Sequence, residues 1–303
     1  MKVKNLAILT SGGDAPGMNS ALFGAFYACQ EKKINLYAVM GGFDGLIDNN
    51  FKLTTFDMFD GRLNRGGSII KCSRSQRFLR TANLNKAVDN LRINEIDGLI
   101  IIGGDGTTKG AIKLKKAGVK IISIPATIDN DMNFSYTLGF DTATNNIVNA
   151  TDAIIDSLSS FNYGAVIKIM GNTCDRLIKD TALAIHTKFV IKTKKVDTDK
   201  LAKQIKEHCD GNHVQPVVLV LEDNVDTVEL AKTLQEKTRI QFRPHILGYI
   251  QRGGTPSAFD RKYGYSAGII AVDALTKSES GLCVGIDGDN FVKKTFETAL
   301  KID

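Results

Sequence analysis

The sequence predicts an α/β protein built as two open, mostly parallel-sheet α/β lobes around a cleft. Three observations predict it. Short runs nearly continuous in apolar residues, such as LAILT (6–10), GLIIIG (98–103) and KIISIP (120–125), read as strands covered on both faces. Segments of helical periodicity lie between them, the alternation expected of βα units. The same alternation begins again near residue 165, and 303 residues are enough for two cores.

The elements follow in order. A strand over 6–10 leads to a helix over 18–31 and a strand over 36–40. A helix over 82–92, the strand 98–103, a helix over 107–117 and the strand 120–125 continue the first lobe. The longest predicted helix spans 142–158, where Ala143, Ile147, Ala150, Ile154 and Leu158 form one apolar stripe. A boundary is placed in LGFD near 139–141. The second set has strands over 165–170, 189–192, 216–222 and 245–250 and helices over 198–209 and 226–238. The last segment is expected to return to the first lobe. The expected domains are therefore 1–139 with 251–303, the larger, and 140–250, the smaller.

Composition excludes several classes. The net charge is +6, with Lys and Arg spread along the chain, so no nucleic-acid stripe is expected, while a surplus of cations suits a protein that handles phosphates. The five cysteines have long gaps and no C-x-x-C, which fits free thiols in a reducing compartment. The apolar part of the N-terminus, LAIL, is too short for a secretory core, and no run approaches a membrane span. The expectation is a cytoplasmic protein with no membrane. His186, His208, His213 and His245 show no metal spacing.

Two strands end alike, in Gly12-Gly13-Asp14 and in Gly103-Gly104-Asp105-Gly106-Thr107. Glycines there let the backbone lie close to a ligand, and the following helix presents N–H groups and a positive dipole end to phosphate. An Asp in such a turn repels phosphate unless a divalent cation intervenes, so Asp105 predicts Mg²⁺. A capped turn with no ligand would read the same way. Neither turn is a G-x-x-x-x-G-K-[ST] loop or a G-x-G-x-x-G loop. A third strand ends in Ile124-Pro125-Ala126-Thr127-Ile128-Asp129-Asn130-Asp131. On the same sheet edge as Asp105, one carboxylate is then free to act as a base on an alcohol during phosphoryl transfer. A solvated turn is the alternative reading.

Taken together, LTSGGDAPGMN (9–19), NRGGS (64–68), SRS (73–75), IGGDGT (102–107), TIDND (127–131), IMG (169–171), LGYIQRGG (247–254) and FDR (259–261) resemble the phosphofructokinase family. The likeness to its bacterial ATP-dependent members runs over essentially the whole chain. It implies ATP-dependent phosphorylation of fructose 6-phosphate at the 1-hydroxyl, with Mg²⁺, in a homo-oligomer, usually a tetramer. It implies an ATP-binding larger lobe and a smaller lobe that binds the sugar phosphate. Asp129 resembles the catalytic base, accompanied by Thr127, Asp131 and Arg74, and Asp105 the magnesium-associated carboxylate. Asp131 is either an orienter of the base or a second metal contact. Gly13, Arg74, Ser75, Gly104, Gly106 and Thr107 fall where the family binds ATP. Thr127, Asp129, Met170, Gly171, Glu222, Arg243 and Arg252 fall where it holds the sugar phosphate, Arg243 being implied to serve a neighbouring subunit. Pyrophosphate-using members carry Asp at the position of Gly106 and Lys at that of Ala126, so the small residues here imply ATP as donor.

The chain departs from the family at Tyr163 and Asn172, usually Arg, and at Tyr249, usually His. Losing a charge-assisted bond to phosphate costs about 1.5–3 kcal/mol. At the family's effector positions it carries Phe23, Tyr27, Phe56, Ile155 and Gly211, with Lys188 in place of a carboxylate. Apolar groups cannot hold a diphosphate, so the usual ADP or phosphoenolpyruvate site is expected to be missing. The alternatives are a weakly active or regulatory subunit of a phosphofructokinase assembly, and a kinase of a different sugar phosphate.

Overall fold

In a computed structural model, residues 3–211 and 215–301 are described. His213 lies outside them. The strands are β1 (Asn5–Thr10), β2 (Asn35–Val39), β3 (Phe51–Leu53), β4 (Gly98–Gly103), β5 (Ile121–Pro125), β6 (Gly164–Ile169), β7 (Phe189–Ile191), β8 (Val217–Leu221), β9 (Phe242–Ile246), β10 (Leu282–Asp287) and β11 (Asn290–Thr295). The α-helices are α1 (Met18–Lys32), α2 (Gly42–Ile47), α3 (Thr81–Ile93), α4 (Asp105–Lys116), α5 (Phe140–Ser159), α6 (Arg176–Ala184), α7 (Thr198–Gly211), α8 (Thr227–Thr238), α9 (Ala258–Thr276) and α10 (Phe296–Leu300).

Two compact units result, residues 1–142 with 252–303 and residues 143–251. The larger holds a seven-stranded sheet in the order β11-β10-β5-β4-β1-β2-β3. Its pairs are parallel except at the two edges, where β3 runs against β2 and β11 against β10. Every residue of β4 and β5 is buried, which is why both read as unbroken apolar runs. The last segment enters this sheet, β10 pairing with β5. One face is covered by α1 and α9, which approach closely through glycines. A side chain at Gly268 would meet the Ala21 carbonyl, and one at Gly24 the Tyr265 carbonyl.

The smaller unit has a four-stranded parallel sheet, β7-β8-β6-β9. Its core joins Val166, Val218, Val220 and Phe242 to Ile205 and Leu234 from α7 and α8. Here one sequence expectation is corrected. The strand predicted over 245–250 lies at Phe242–Ile246, and Gly248–Gln251 is a short 3-10 turn. Gly248, at φ 56, turns the chain where the apolar run suggested a strand. Pro244 is tolerated because β9 is an edge strand, where a missing donor costs no ladder bond.

Asp260, near the start of α9, is fully buried. It accepts from the Gly139 and Thr142 backbone N–H groups at 2.7 and 2.9 Å and from the Thr142 hydroxyl at 2.5 Å. It thereby ties α9 to the first turn of α5. Burial pushes its carboxyl up to about 6, opposed by the bonds from Thr142 and Gly139.

Candidate active site

The chain runs from β1 to β2 on one side of the larger sheet and later from β4 to β5 on the other. Strand order therefore reverses between β1 and β4, and in open α/β sheets ligands bind outside the carboxyl ends of the strands at such a point. β1, β4 and β5 are consecutive and parallel. The two Gly-Gly-Asp turns and the TIDND loop consequently leave the same sheet edge.

The first turn is roofed by residues 73–75. Ser11 N–H donates to the Ile102 carbonyl, and Gly12 N–H and the Ser11 hydroxyl donate to that of Ser73, each at 3.0 Å. This brings Arg74 and Arg252 together over Gly13. A methyl group there would collide with the Arg252 guanidinium and lie 3.3 Å from that of Arg74. Arg252 also donates to the Asp14 carbonyl at 3.1 Å and lies 3.6 Å from its carboxylate. Two guanidinium groups beside a bare backbone form a site suited to an anion. Ser75 points elsewhere, donating to Asp44 at 2.6 Å and accepting from Phe78 N–H.

The second turn starts α4 one residue after Gly104, so Asp105 belongs to the first helical turn. Thr107 packs on both turns, because a side chain at Gly103 or Gly12 would strike its hydroxyl at 2.5 or 3.1 Å. Gly106 faces open space. One Asp105 oxygen accepts from Gly106 N–H at 2.5 Å, and the other takes Lys109 Nζ at 2.8 Å.

The third loop is held by a residue that the motif reading passed over. Asn130, buried and left-handed at φ 51, accepts from Thr137 N–H at 2.9 Å and donates to the Ser135 carbonyl at 3.0 Å. Thr137 in turn donates to the Thr127 carbonyl at 2.7 Å. Asn suits this backbone because its short polar side chain tolerates the left-handed region. Fixed in this way, Thr127 packs against Gly104, and its hydroxyl accepts from Asp129 N–H at 3.2 Å. Asp129 is half-buried and Asp131 lies at the surface. The protein packed about the Asp131 carboxyl raises it, the Asp105 charge raises it further, and Lys109 opposes both. Two mutually repelling carboxylates, one with an oxygen directed at a cation, are a fitting donor set for Mg²⁺, which takes one or two carboxylates and completes its shell with phosphates and water. Among the described residues no group of three His, Cys, Asp or Glu could hold a metal.

In the smaller unit the remaining predicted residues fall into two groups. At the carboxyl end of β6, Glu222 accepts from Gly171 and Asn172 N–H at 3.0 and 2.8 Å, and Gln251 accepts from Met170 N–H at 2.9 Å. Gly171 and Asn172 have φ of 145 and 52, a turn in which Asn is better tolerated than Arg. Tyr249, 79% exposed, precedes Gln251 in the 3-10 turn. Tyr163 and Arg243 lie at the other end of the same strands. Arg243 sits over the Tyr163 ring, 5.1 Å from its centroid, and Phe161 stacks on Tyr163 at 5.4 Å. One strand length, roughly 20 Å for six residues, separates the groups along β6. A single molecule of sugar-phosphate size does not span that distance.

At the effector positions, Phe23 lies within 5.3–6.3 Å of Phe26, Phe56, Phe59 and Tyr265. Tyr27 adjoins the same Tyr265 ring. Among the described residues no helix is long and apolar enough to cross a membrane.

The phosphofructokinase family profile matches residues 5–275. An ATP-dependent 6-phosphofructokinase of Clostridium tetani is 36% identical over 304 residues, covering 99% of this chain and 95% of that protein. The fold superposes on a Pichia pastoris phosphofructokinase crystal structure with a TM-score of 0.92 at 27% identity, covering 99% of this chain and 36% of that one. For the Saccharomyces cerevisiae phosphofructokinase the values are 0.89, 25%, 98% and 45%. The chain thus spans less than half the length of either yeast chain. With the profile spanning most of its length and a bacterial relative matched nearly end to end, the chain belongs to the phosphofructokinase family.

Proposed function

We propose that the protein is an ATP-dependent 6-phosphofructokinase, transferring a phosphoryl group from ATP to the 1-hydroxyl of fructose 6-phosphate to form fructose 1,6-bisphosphate. The observation that carries this reading is the meeting of both Gly-Gly-Asp turns and the TIDND loop at one sheet edge, at the strand-order reversal. The names of relatives such as the Clostridium tetani enzyme supply the substrate class.

Each residue has a chemical part in this proposal. The positive end of α4 and the backbone of Gly13 receive the ATP phosphates, with Arg74 balancing their charge, and Arg252 beside it holds the sugar phosphate. Asp129 accepts the hydroxyl proton as the new P–O bond forms, and Thr127 orients it. Asp105, with Asp131 beside it, would hold Mg²⁺, whose charge would offset that of the transferring phosphoryl. In the smaller unit, Glu222 keeps the turn at Met170, Gly171 and Asn172 in shape for the sugar phosphate. Arg243, at the far end of β6, serves the 6-phosphate bound by a second copy, which makes a homo-oligomer necessary. The open space at Gly106 leaves room for a nucleotide, and Ala126 offers pyrophosphate no lysine.

A panel of sugar phosphates, with ATP and pyrophosphate as donors and with and without ADP, tests the reading through kcat/KM. Fructose 6-phosphate with ATP is expected to lead, with no activation by ADP because aromatic rings occupy the effector positions. A higher kcat/KM for another acceptor, or for pyrophosphate, would refute it.

The Arg243–Tyr163 stack gives a further expectation. Tyr163→Ala removes the surface on which the guanidinium rests, a contact worth about 0.5–1 kcal/mol at an exposed site. KM for fructose 6-phosphate should rise about two- to fivefold, and Tyr163→Phe should leave it near wild type. An unchanged KM in the Ala variant would show that the stack is only packing.

A further inference from the structure

The larger unit places a cation, Lys109, that phosphoryl transfer as described above does not use. It lies one turn beyond Asp105 on α4, with Nζ 2.8 Å from Asp105 Oδ2. The other oxygen of Asp105 already accepts from Gly106 N–H. Oδ2, the oxygen not committed to the backbone, is the one Lys109 holds, so an ion that takes it must displace the ammonium. The Lys109 ammonium is also attracted by Asp131, more weakly than by Asp105. The contact is with Asp105, and the Asp131 charge lies near enough to add to it. The pair is open to solvent, 59% on Lys109 and 50% on Asp105. Exposed pairs of this kind are weak, and the flexible lysine stem lets the ammonium move without disturbing the helix.

We propose that Lys109 is the resident cation of the metal site. It balances Asp105 and Asp131 while the site is empty, yields Oδ2 to a divalent cation, and then pairs with the phosphates of the nucleotide that arrives with it. This rests on the reading that the first turn of α4 takes a magnesium nucleotide. The ammonium and a divalent ion cannot both sit on Oδ2, because like charges at that range repel. Once displaced, the ammonium remains within one side-chain length of the turn proposed to receive phosphates, and lysine serves there as a mobile point charge.

The exchange predicts opposite effects on two ligands when the charge is removed. In the full chain carrying Lys109→Met, Mn²⁺ added without nucleotide, followed by electron paramagnetic resonance, should bind roughly two- to fivefold more tightly than in wild type. The magnesium complex of the non-hydrolysable analogue AMP-PNP, followed by calorimetry, should bind about tenfold more weakly. Lys109→Arg, which keeps the charge, should bind both nearly as wild type does. A plain helix-surface ion pair would leave both affinities of the Met variant unchanged, and that result overturns the proposal. So does a shift of both in the same direction, or a wild-type chain that binds no Mn²⁺. Opposite shifts in a chain that fails to phosphorylate fructose 6-phosphate would uphold this exchange while refuting the assigned acceptor.

Discussion

Asp129→Asn is expected to lower kcat with magnesium ATP and fructose 6-phosphate about 10²–10⁴-fold, leaving both KM values near wild type. The loss corresponds to roughly 3–5 kcal/mol of transition-state stabilisation. Asn has the shape of Asp but cannot accept a proton. The loop should keep its form, because Asn130 and Thr137 hold its shape. The effect should therefore appear in the chemical step and not in binding. Steady-state kinetics of the purified variant decide it, and a kcat within tenfold of wild type would place the base elsewhere. Asp131→Asn serves as the contrast. Its main effect should be a higher magnesium requirement, since Asp131 is proposed to share the magnesium site with Asp105.

The second large effect is on stability. Asp260→Ala should lower the free energy of unfolding by about 3–5 kcal/mol, measured by urea denaturation. The carboxylate has no exposed area, and its loss leaves Gly139 N–H, Thr142 N–H and the Thr142 hydroxyl without that acceptor. Buried donors left unpaired cost about 1–3 kcal/mol each before any relaxation. An unchanged midpoint would mean that the α5–α9 junction does not depend on this residue. The pH dependence has a definite sign. With a folded value of about 6 against an ordinary 3.8, the folded chain holds this proton to higher pH than the unfolded chain does. The contribution of Asp260 is therefore greatest below about pH 4, falls as pH rises toward about 6, and is level above that. Asp260→Asn should remove this part of the slope, and a slope identical to wild type would contradict it.

Much of the fold was legible because buried parallel strands leave an unmistakable trace. Leu6 to Leu9 and Leu99 to Ile102 are all buried, so no polar residue interrupts them. The helix α5 was legible from its one-sided stripe. The helix α9 was not, because it is apolar on more than one side, packing on α1 through Gly264 and Gly268 as well as on the sheet. Periodicity then disappears and only length would have suggested a helix. The strand β9 was misplaced because Pro244 and two charged or polar neighbours, Arg243 and His245, hide an edge strand, while the apolar run beyond it is a turn. In the candidate site the residues that the motifs name stood out by type, but Asn130 and Thr137, which shape the loop, did not. Their role depends on a left-handed residue reaching a segment several positions along.

By itself the sequence determined the chemistry available at each strand end: two bare backbone turns, each ending in a carboxylate, and a pair of carboxylates after a third strand. Those are local properties, decided by residue type and spacing. Only the tertiary structure decided which of them meet. Adjacency of β1, β4 and β5 is a matter of strand order, which depends on how distant segments share one core. That order puts the TIDND loop beside Asp105, and the roof of residues 73–75 brings Arg74 to Arg252 over Gly13. The same holds in the smaller unit, where strand direction sets Tyr163 and Arg243 a full strand away from Met170 and Asn172.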